Sequence, residues 1–396
     1  MLKNTRQRVA LGMSGGVDSS LSAQLLVEAG YEVTGVYLEC WRAPGCRTEE
    51  DRKDALKVAL ELGIKFEILD FKQEYKDRVV EYFFNEYEAG RTPNPDVMCN
   101  KEIKFGMFYD WAMEQGFDFV ATGHYAGIFC KLPRQKISVR DDLASVVSQT
   151  ETNNQNSFSL IIPADKHKDQ TYFLYRLREE QLAHILFPIG DLTKDQVRVE
   201  AKKRGIAVAD KPDSQGICFI GEINVHNFLK ERLGENPGEV VNTAGEVIGR
   251  HTGLWFYTVG QRHGFEIDGT WKSKQGEIKH AMPPYYVIKK IPAKNQLVVG
   301  FGTETYRSEF GVEDVNWIDE KVLTSYSTFP LFVRIRHGGK LIFCKIEVQK
   351  NDVEKNESLK VTLKEPTQGI AEGQSAVFYL NVNEKYICLG GGVITE

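Results

Sequence analysis

Apolar and polar positions follow two different rhythms along this chain, and the change falls near Gly205. Before it, short apolar runs alternate with stretches whose apolar residues recur every three or four positions. Arg8–Gly12 reads as a strand, and Asp18–Gly30 as a helix with Leu21, Leu25 and Leu26 on one face. Tyr31–Leu38 is a β-branched and aromatic strand. Thr48 and Asp51 form a capping-box pattern opening a helix that ends near Gly63. Lys65–Leu69 is a third strand, Gln73–Ala89 a long amphipathic helix closed by Gly90, Glu102–Gln115 another helix, and Phe117–Thr122 a fourth strand. Two more helical patterns follow at Gln170–His184 and Thr193–Arg204. Such alternation predicts a doubly wound parallel α/β sheet.

After Gly205 the rhythm shortens. Turn signals such as Asn236-Pro237-Gly238 and Thr243-Ala244-Gly245 separate short β-rich runs. From Met282 onward the runs are Tyr285–Lys290, Gln296–Gly300, Leu331–Arg336, Ile342–Val348, Ser358–Leu363, Ser375–Leu380 and Lys385–Gly390. Strands at such intervals predict a C-terminal antiparallel β-barrel of about 110 residues. The expected division is an α/β domain over 1–205, a small mixed central domain over 206–281, and the barrel over 282–396. A polar stretch without periodicity, about 131–159, reads as an insertion in the first domain.

Composition narrows the function classes. Hydrophobic content of 42% and charged content of 27% are those of a soluble globular protein, and no apolar run nears the ~20 residues of a membrane span. The chain reaches a strand and a glycine loop within a dozen residues, which leaves no room for a leader, so a cytoplasmic setting is expected. A net charge of −5 means that any nucleic-acid binding must come from a local basic face. Seven scattered cysteines with no CxxC do not form a disulfide framework or a structural zinc pattern.

The strongest local signal is Gly12-Met13-Ser14-Gly15-Gly16-Val17-Asp18-Ser19-Ser20, between the first strand and the first helix. Two adjacent glycines let backbone N–H groups approach an anion, and the helix N-terminus faces the same spot. Asp18 would repel a bare phosphate, but suits a Mg²⁺ bridging it to pyrophosphate. The loop lacks the Gly-Lys-Ser/Thr ending of a Walker A motif and is not a dinucleotide GxGxxG. It resembles the PP-loop, SGGxDS, of enzymes that cleave ATP between the α and β phosphates and adenylate a carbonyl oxygen. Adenylation turns a poor leaving group into a good one, and the nucleophile that follows must be sought elsewhere in the chain.

Two cysteines stand in polar, loop-like surroundings. Cys99 ends Thr92-Pro93-Asn94-Pro95-Asp96-Val97-Met98-Cys99, a proline-stiffened loop that leads into a helix, whose N-terminus would favour the thiolate. Asp96 is placed to act as an acid/base group or to hold a base edge. Cys218 follows Asp213-Ser214-Gln215-Gly216-Ile217. Cys344 and Cys388 sit in strand-like runs and read as core packing, while Cys40, Cys46 and Cys130 stay undecided, with packing the favoured reading.

With these motifs in hand, the chain resembles the tRNA-uridine 2-sulfurtransferase (2-thiouridylase) family nearly end to end. The matching stretches are GMSGGVDSS from Gly12, GRTPNPDVMCN from Gly90, ATGHYA from Ala121, KDQTYFL from Lys168, DSQGICF from Asp213, YTVGQRHG from Tyr257 and GQSAVFY from Gly373. The resemblance implies a PP-loop catalytic domain that thiolates the wobble uridine, position 34, of tRNAs for Lys, Glu and Gln. It makes Cys218 the persulfide carrier, loaded by a sulfur-carrier protein or cysteine desulfurase, and Cys99 its partner, able to form a disulfide with it. It places ATP on Gly12, Met13, Ser14, Gly15, Gly16, Val17, Asp18, Ser19, Leu38 and Gly123, and the target base on Asn94, Pro95 and Asp96. It assigns tRNA contacts to His124, Lys168, Asp169, Gln170, Arg336, His337 and Gln374. Three readings compete: a PP-loop ligase or amidotransferase acting on a small molecule, a non-catalytic tRNA-binding protein, and a cysteine-held iron–sulfur cluster. The first lacks a glutaminase domain as ammonia source, the second leaves the pyrophosphate loop without a purpose, and the third lacks ligands.

Overall fold

The computed structural model describes residues 6–41, 48–131, 157–213, 224–267, 284–319, 330–350 and 357–396. Its first domain begins with β1 (Arg8–Gly12), α1 (Val17–Glu28), β2 (Glu32–Glu39), α2 (Thr48–Glu61) and β3 (Lys65–Asp70). Next come α3 (Lys72–Tyr75), α4 (Glu81–Glu88), α5 (Pro95–Met98), α6 (Phe108–Glu114) and β4 (Phe119–Thr122). Wide π turns at Lys76–Val80 and Cys99–Met107 join α3 to α4 and α5 to α6, making two long helices. A hairpin of β5 (Gly127–Lys131) and β6 (Ser157–Ile161) precedes α7 (Glu179–Leu182), β7 (Ile185–Leu186) and α8 (Lys194–Lys203).

Strands β3-β2-β1-β4-β7 form one parallel sheet in that order. Val9, Ala10 and Leu11 of β1 are fully buried, as a central strand covered on both faces requires. Strand order reverses between β1 and β4, so a ligand crevice is expected at their carboxyl ends, where the Ser14–Ser20 loop lies. Thr193 caps α8, accepting from Gln196 N at 3.3 Å, and α8 packs against α1.

The central domain consists of α9 (Val225–Leu233), β8 (Gly238–Val241), β9 (Val247–His251), β10 (Glu266–Ile267), β11 (Tyr286–Ile291) and β12 (Gln296–Gly300). Its sheet runs β10-β9-β8-β12-β11. This moves the boundary expected at 281/282. β12 pairs in parallel with β8 and antiparallel with β11, so 286–300 closes the central sheet instead of opening the barrel.

The barrel contains β13 (Tyr306–Trp317), β14 (Leu331–Arg334), β15 (Ile342–Lys350), β16 (Glu357–Gln368), β17 (Ser375–Val382) and β18 (Lys385–Thr395). They pair antiparallel in the order β13-β16-β15-β14-β17-β18, and a β13–β18 pairing closes the ring. Val312, Val333, Val361, Phe378 and Ile394 are fully buried in its core. The β5–β6 hairpin, which flanks the insertion, continues this sheet by pairing Ile161 with Ile387 and Leu160 with Cys388. A piece of the first domain is thus an added strand pair on the barrel.

One expected element does not form. Gln170–His184 is not a single helix: a 3₁₀ turn at Thr171–Phe173 and the short α7 replace it. Tyr172, Leu174, Tyr175, Leu177 and Leu182 are all buried, filling a cluster shared with Val377, Tyr379 and Cys388 of the barrel. Asp169 drives the irregular start, accepting from the backbone N and Oγ1 of Thr171. Its other oxygen accepts from Arg334 Nη1 of the barrel at 2.5 Å. With Asp169 2% and Arg334 7% exposed, this is an ion pair buried between domains.

Breaking such a pair from one side strands a buried charge. Asp169→Asn should lower unfolding free energy by about 3–5 kcal/mol, read as a shift in the urea midpoint. A second expectation concerns Lys290, which donates to Tyr257 O at 2.8 Å where the central domain meets the other two. Burial pushes its pKa down to about 8, with Glu372 opposing. Between pH 8 and the ordinary lysine value of about 10.4, the unfolded chain holds the extra proton, so stability rises with pH. Wild type should therefore gain on Lys290→Met between pH 8 and 10 in denaturant titrations.

Candidate active site

A carboxylate at the mouth of an anion-binding loop needs a cation, and the fold supplies one. Lys194 Nζ donates to both oxygens of Asp18 at 2.8 Å, and the Tyr125 hydroxyl donates to Asp18 Oδ1 at 2.8 Å. The same ammonium reaches Asp213 Oδ1 at 2.8 Å, while Lys168 and Arg198 each bind Asp213 at 2.7 Å. Burial works to raise the Asp213 pKa, but bonds from Lys168 and Lys194 prevail and pull it to about 2. On the other side of the loop, Lys211 Nζ donates to Gly15 O at 3.0 Å and to Asp51 and Asp54 of α2 at 2.7 and 2.6 Å.

The loop itself needs its glycines. Gly15 has φ +73°, and a Cβ there would lie 2.1 Å from Asp51 O. A Cβ on Gly123 would lie 2.8 Å from Ser19 N, so β4 presses directly on the first turn of α1. Ser19 Oγ lies 3.2 Å from Ser14 N and 3.3 Å from Ser14 Oγ, which fixes the turn. Gly12 and Gly16 complete it, whereas Met13 and Val17 are buried in the sheet core and offer only backbone to a ligand. Leu38 packs at the rim between two clusters.

From Gly123 the site continues into the cysteine helix. His124 Nδ1 lies 2.8 Å from Thr122 Oγ1, and Nε2 3.5 Å from Lys104 Nζ, on the helix that carries Cys99. Burial first, then the Lys104 charge, hold the His124 pKa well below its ordinary value, so its ring is neutral. Asn94 caps this helix, accepting from Val97 N at 3.3 Å, and Pro95 opens it. Cys99 is accordingly the fifth helical residue, one turn past the terminus. The dipole argument for its thiolate loses force there, since that field fades beyond the first turn. Cys99 is instead a buried thiol, 3% exposed, beside Val79, Phe83 and Ile103. Asn100 donates to Phe173 O at 3.3 Å, leaving its Oδ1 a buried acceptor with no partner.

Residues expected to meet tRNA divide into two groups. Asp169 is inside, in the ion pair with Arg334, and Gln170 exchanges bonds with both backbone groups of Tyr125. Lys168 is spent on Asp213. Arg336 and His337 are exposed on the barrel turn after β14, with the His337 ring stacked on Phe173 at 4.3 Å. Gln374 points at the first domain and donates to Thr92 O and Pro93 O. Cys218, Cys46 and most of the insertion lie outside the described residues. Cys344 and Cys388 are buried, with the Cys344 thiol pushed up to about 12, in keeping with packing. The pattern missed Tyr125, Lys194, Lys211 and Asp213 as site members; Tyr125, inside ATGHYA, and Asp213, which opens DSQGICF, carried a local signal, while Lys194 and Lys211 carried none.

Comparison with known proteins fits this arrangement. Family models match in three consecutive stretches: "tRNA methyl transferase HUP domain" over 7–222, "tRNA methyl transferase PRC-barrel domain" over 226–301, and "Aminomethyltransferase beta-barrel domain" over 307–394. The tRNA-specific 2-thiouridylase MnmA of Enterococcus faecalis is 40% identical over 402 residues, covering 100% of this chain and 96% of that protein. The chain belongs to the tRNA-specific 2-thiouridylase family. Its counterpart in Pseudomonas fluorescens is 41% identical over 98% of this chain and 95% of its own length. Among solved structures, the U34-tRNA thiolase NcsA from Methanococcus maripaludis aligns at 18% identity and TM-score 0.33, covering 57% of this chain and 66% of that one, too slight a likeness to argue from. The family boundaries at 222/226 and 301/307 agree with the sheet partition seen here. No helix among the described residues is long and apolar enough to cross a membrane.

Within the family fold, Lys194 is the tie between two carboxylates. Lys194→Met should leave Asp18 and Asp213 facing each other and cost about 1–2 kcal/mol, allowing for their partial exposure. Urea unfolding at pH 7 measures it.

Proposed function

We propose that this chain thiolates C2 of the wobble uridine of tRNA, using ATP to activate the base and a cysteine persulfide to deliver sulfur. One observation carries the reading. The PP-loop is linked through Gly123 and His124 to Lys104, on the helix that carries Asp96 and Cys99. A nucleotide-activation loop and a thiol beside a carboxylate are what the two half-reactions need. Full-length identity of about 40% to named 2-thiouridylases supports the same reading.

Binding begins with ATP phosphates on the N–H groups of Gly15, Gly16 and the α1 terminus. Mg²⁺ fits as an ion carried in on those phosphates. Both Asp18 oxygens are engaged by Lys194, and the described residues hold no group of three metal-ligating side chains. Asp18 would be the carboxylate that meets the ion, whose charge would offset the growing negative charge on phosphate. The target uridine, extruded from the anticodon loop at modest cost, enters beside Asn94, Pro95 and Asp96. Its O2 attacks the α phosphate, and pyrophosphate leaves. Asp96 accepts the proton that the base gives up. The terminal sulfur of the Cys218 persulfide then bonds to C2. Cys99 attacks the Cys218 sulfur, the persulfide bond breaks, and AMP departs with the original oxygen. The resulting Cys99–Cys218 disulfide is reopened by a cellular thiol. Phosphates of the tRNA are met by Arg336 and neighbouring cations, and the anticodon stem-loops of Lys, Glu and Gln tRNAs are the expected substrates. A sulfur-carrier protein or cysteine desulfurase would load Cys218.

The test is mass analysis of tRNA after incubation with the protein, ATP, Mg²⁺ and a sulfur donor. Wild type should add the mass of one oxygen-to-sulfur exchange in the anticodon loop, only with ATP. Asp18→Ala should lose at least 100-fold in rate. Cys218→Ser should fail with a persulfide donor but retain activity on free sulfide. ATP cleavage to AMP with no thiolated tRNA from any donor would favour a small-molecule ligase instead.

A further inference from the structure

The segment just ahead of the target-base turn cannot hold itself in place. Pro93 and Pro95 have no N–H, and Pro95 thereby denies the Thr92 carbonyl the donor a turn would offer it; the Thr92 and Pro93 carbonyls take side-chain donors from outside the segment. The barrel supplies them. Gln374 Nε2 donates to Thr92 O at 3.0 Å and to Pro93 O at 2.9 Å. Thr92 N in turn donates to Glu372 O at 2.8 Å. Between these two residues Gly373 has φ +86°, and a Cβ on it would lie 2.9 Å from Thr92 N, Thr92 O and Arg91 Cβ. The central domain adds Thr258, whose Oγ1 is 3.3 Å from Thr92 Oγ1, and Pro292, which packs on Gly90.

Gln374 issues from rigid backbone. Its N donates to Ala371 O at 3.2 Å, and its O accepts from Ile394 N of β18 at 2.8 Å. One amide therefore fixes two successive peptide planes relative to the closed barrel. The next residue is Asn94, whose side chain caps the Asp96–Cys99 helix. Any tilt of the Thr92–Pro93 planes passes to Asn94 and Asp96 with no loop between to absorb it. Reacting groups misplaced by about 1 Å cost orders of magnitude in rate.

The geometry points to Gln374 as a positioning residue for the chemical step: from the barrel, it sets the Asn94–Asp96 turn against the target base. This inference rests on the thiolation proposed above. It assigns the barrel a part in the reaction beyond holding RNA, and it differs from a direct tRNA contact by Gln374, which the family resemblance implies.

The two roles separate kinetically. Full-length Gln374→Ala should lose about 10- to 100-fold in kcat for thiolation at saturating tRNA. Its tRNA Kd by filter binding should stay within about twofold. Gln374→Glu, with the same shape but a carboxylate turned on two carbonyls, should lose more kcat than Gln374→Ala. If Gln374→Ala does not fold, Thr258→Val loosens the same segment from the central domain and should lower kcat in the same sense, by less. A weakened Kd with kcat unchanged at saturation would overturn the inference in favour of direct contact. Unchanged kcat in the Gln374 variants, with wild type active, would overturn it alone. A wild type that thiolates no tRNA would remove the reaction reading first.

Discussion

A negative charge placed where an anion must bind is the constraint from which much of this fold follows. Asp18 stands in the first turn of α1, beside backbone groups shaped for phosphate. Unpaired, it would repel the ligand. Lys194 neutralises it from α8, a helix packed on α1. The position of α8 then brings Arg198 and Lys194 together on Asp213, five residues before Cys218. Lys211 ties the same stretch back to the loop through Gly15. The nucleotide loop and the Lys211–Asp213 stretch are therefore joined by charge, although nearly two hundred residues separate them along the chain.

Among the contacts that fasten the barrel to the first domain, three differ in kind. Strand pairing carries the β5–β6 hairpin onto β18, a buried ion pair joins Asp169 to Arg334, and the Gln374 amide holds two carbonyls of a proline-rich loop. Such contacts have demanding geometry and tolerate little sliding, unlike an apolar face. The cluster around Tyr172, Tyr175 and Tyr379 supplies the burial, while these polar contacts fix the register.

How much of this could be read from residues alone depends on the distance over which each signal acts. The nucleotide loop, the central strands and α8 are written locally, in glycines, β-branched runs and a Thr193 cap. The parallel sheet followed from them, and so did a barrel. Strand β13 escaped because its charged residues Glu309, Glu313 and Asp314 and a bulge hide the buried Phe310 and Val312. The 170–184 segment failed for the opposite reason. Its apolar residues face two domains, so a helical rhythm appears where tertiary burial breaks the helix. Motif membership also leaves internal partners unread. Asp169 and Gln170 sit in a stretch matched to tRNA contacts, yet their side chains bind Arg334, Thr171 and Tyr125. Lys194 was invisible because its meaning is a contact with Asp18, 176 residues away, and Asp213 was legible as the start of DSQGICF but not as a partner of Lys194, 19 residues earlier.

Charge sharpens the RNA problem. With a net charge of −5, affinity for phosphate must come from local cations, yet Lys168, Lys194, Arg198, Lys211 and Arg334 are each paired with an aspartate. Cations committed internally in this way offer little free positive charge to an approaching strand. Counterion release at this face would therefore be small unless a polyphosphate displaces an aspartate from its lysine. ATP phosphates bound on the loop would be such a competitor for Lys194. A ligand that drew Lys194 away from Asp18 would therefore change the charge that an approaching strand meets, by electrostatics as well as by shape.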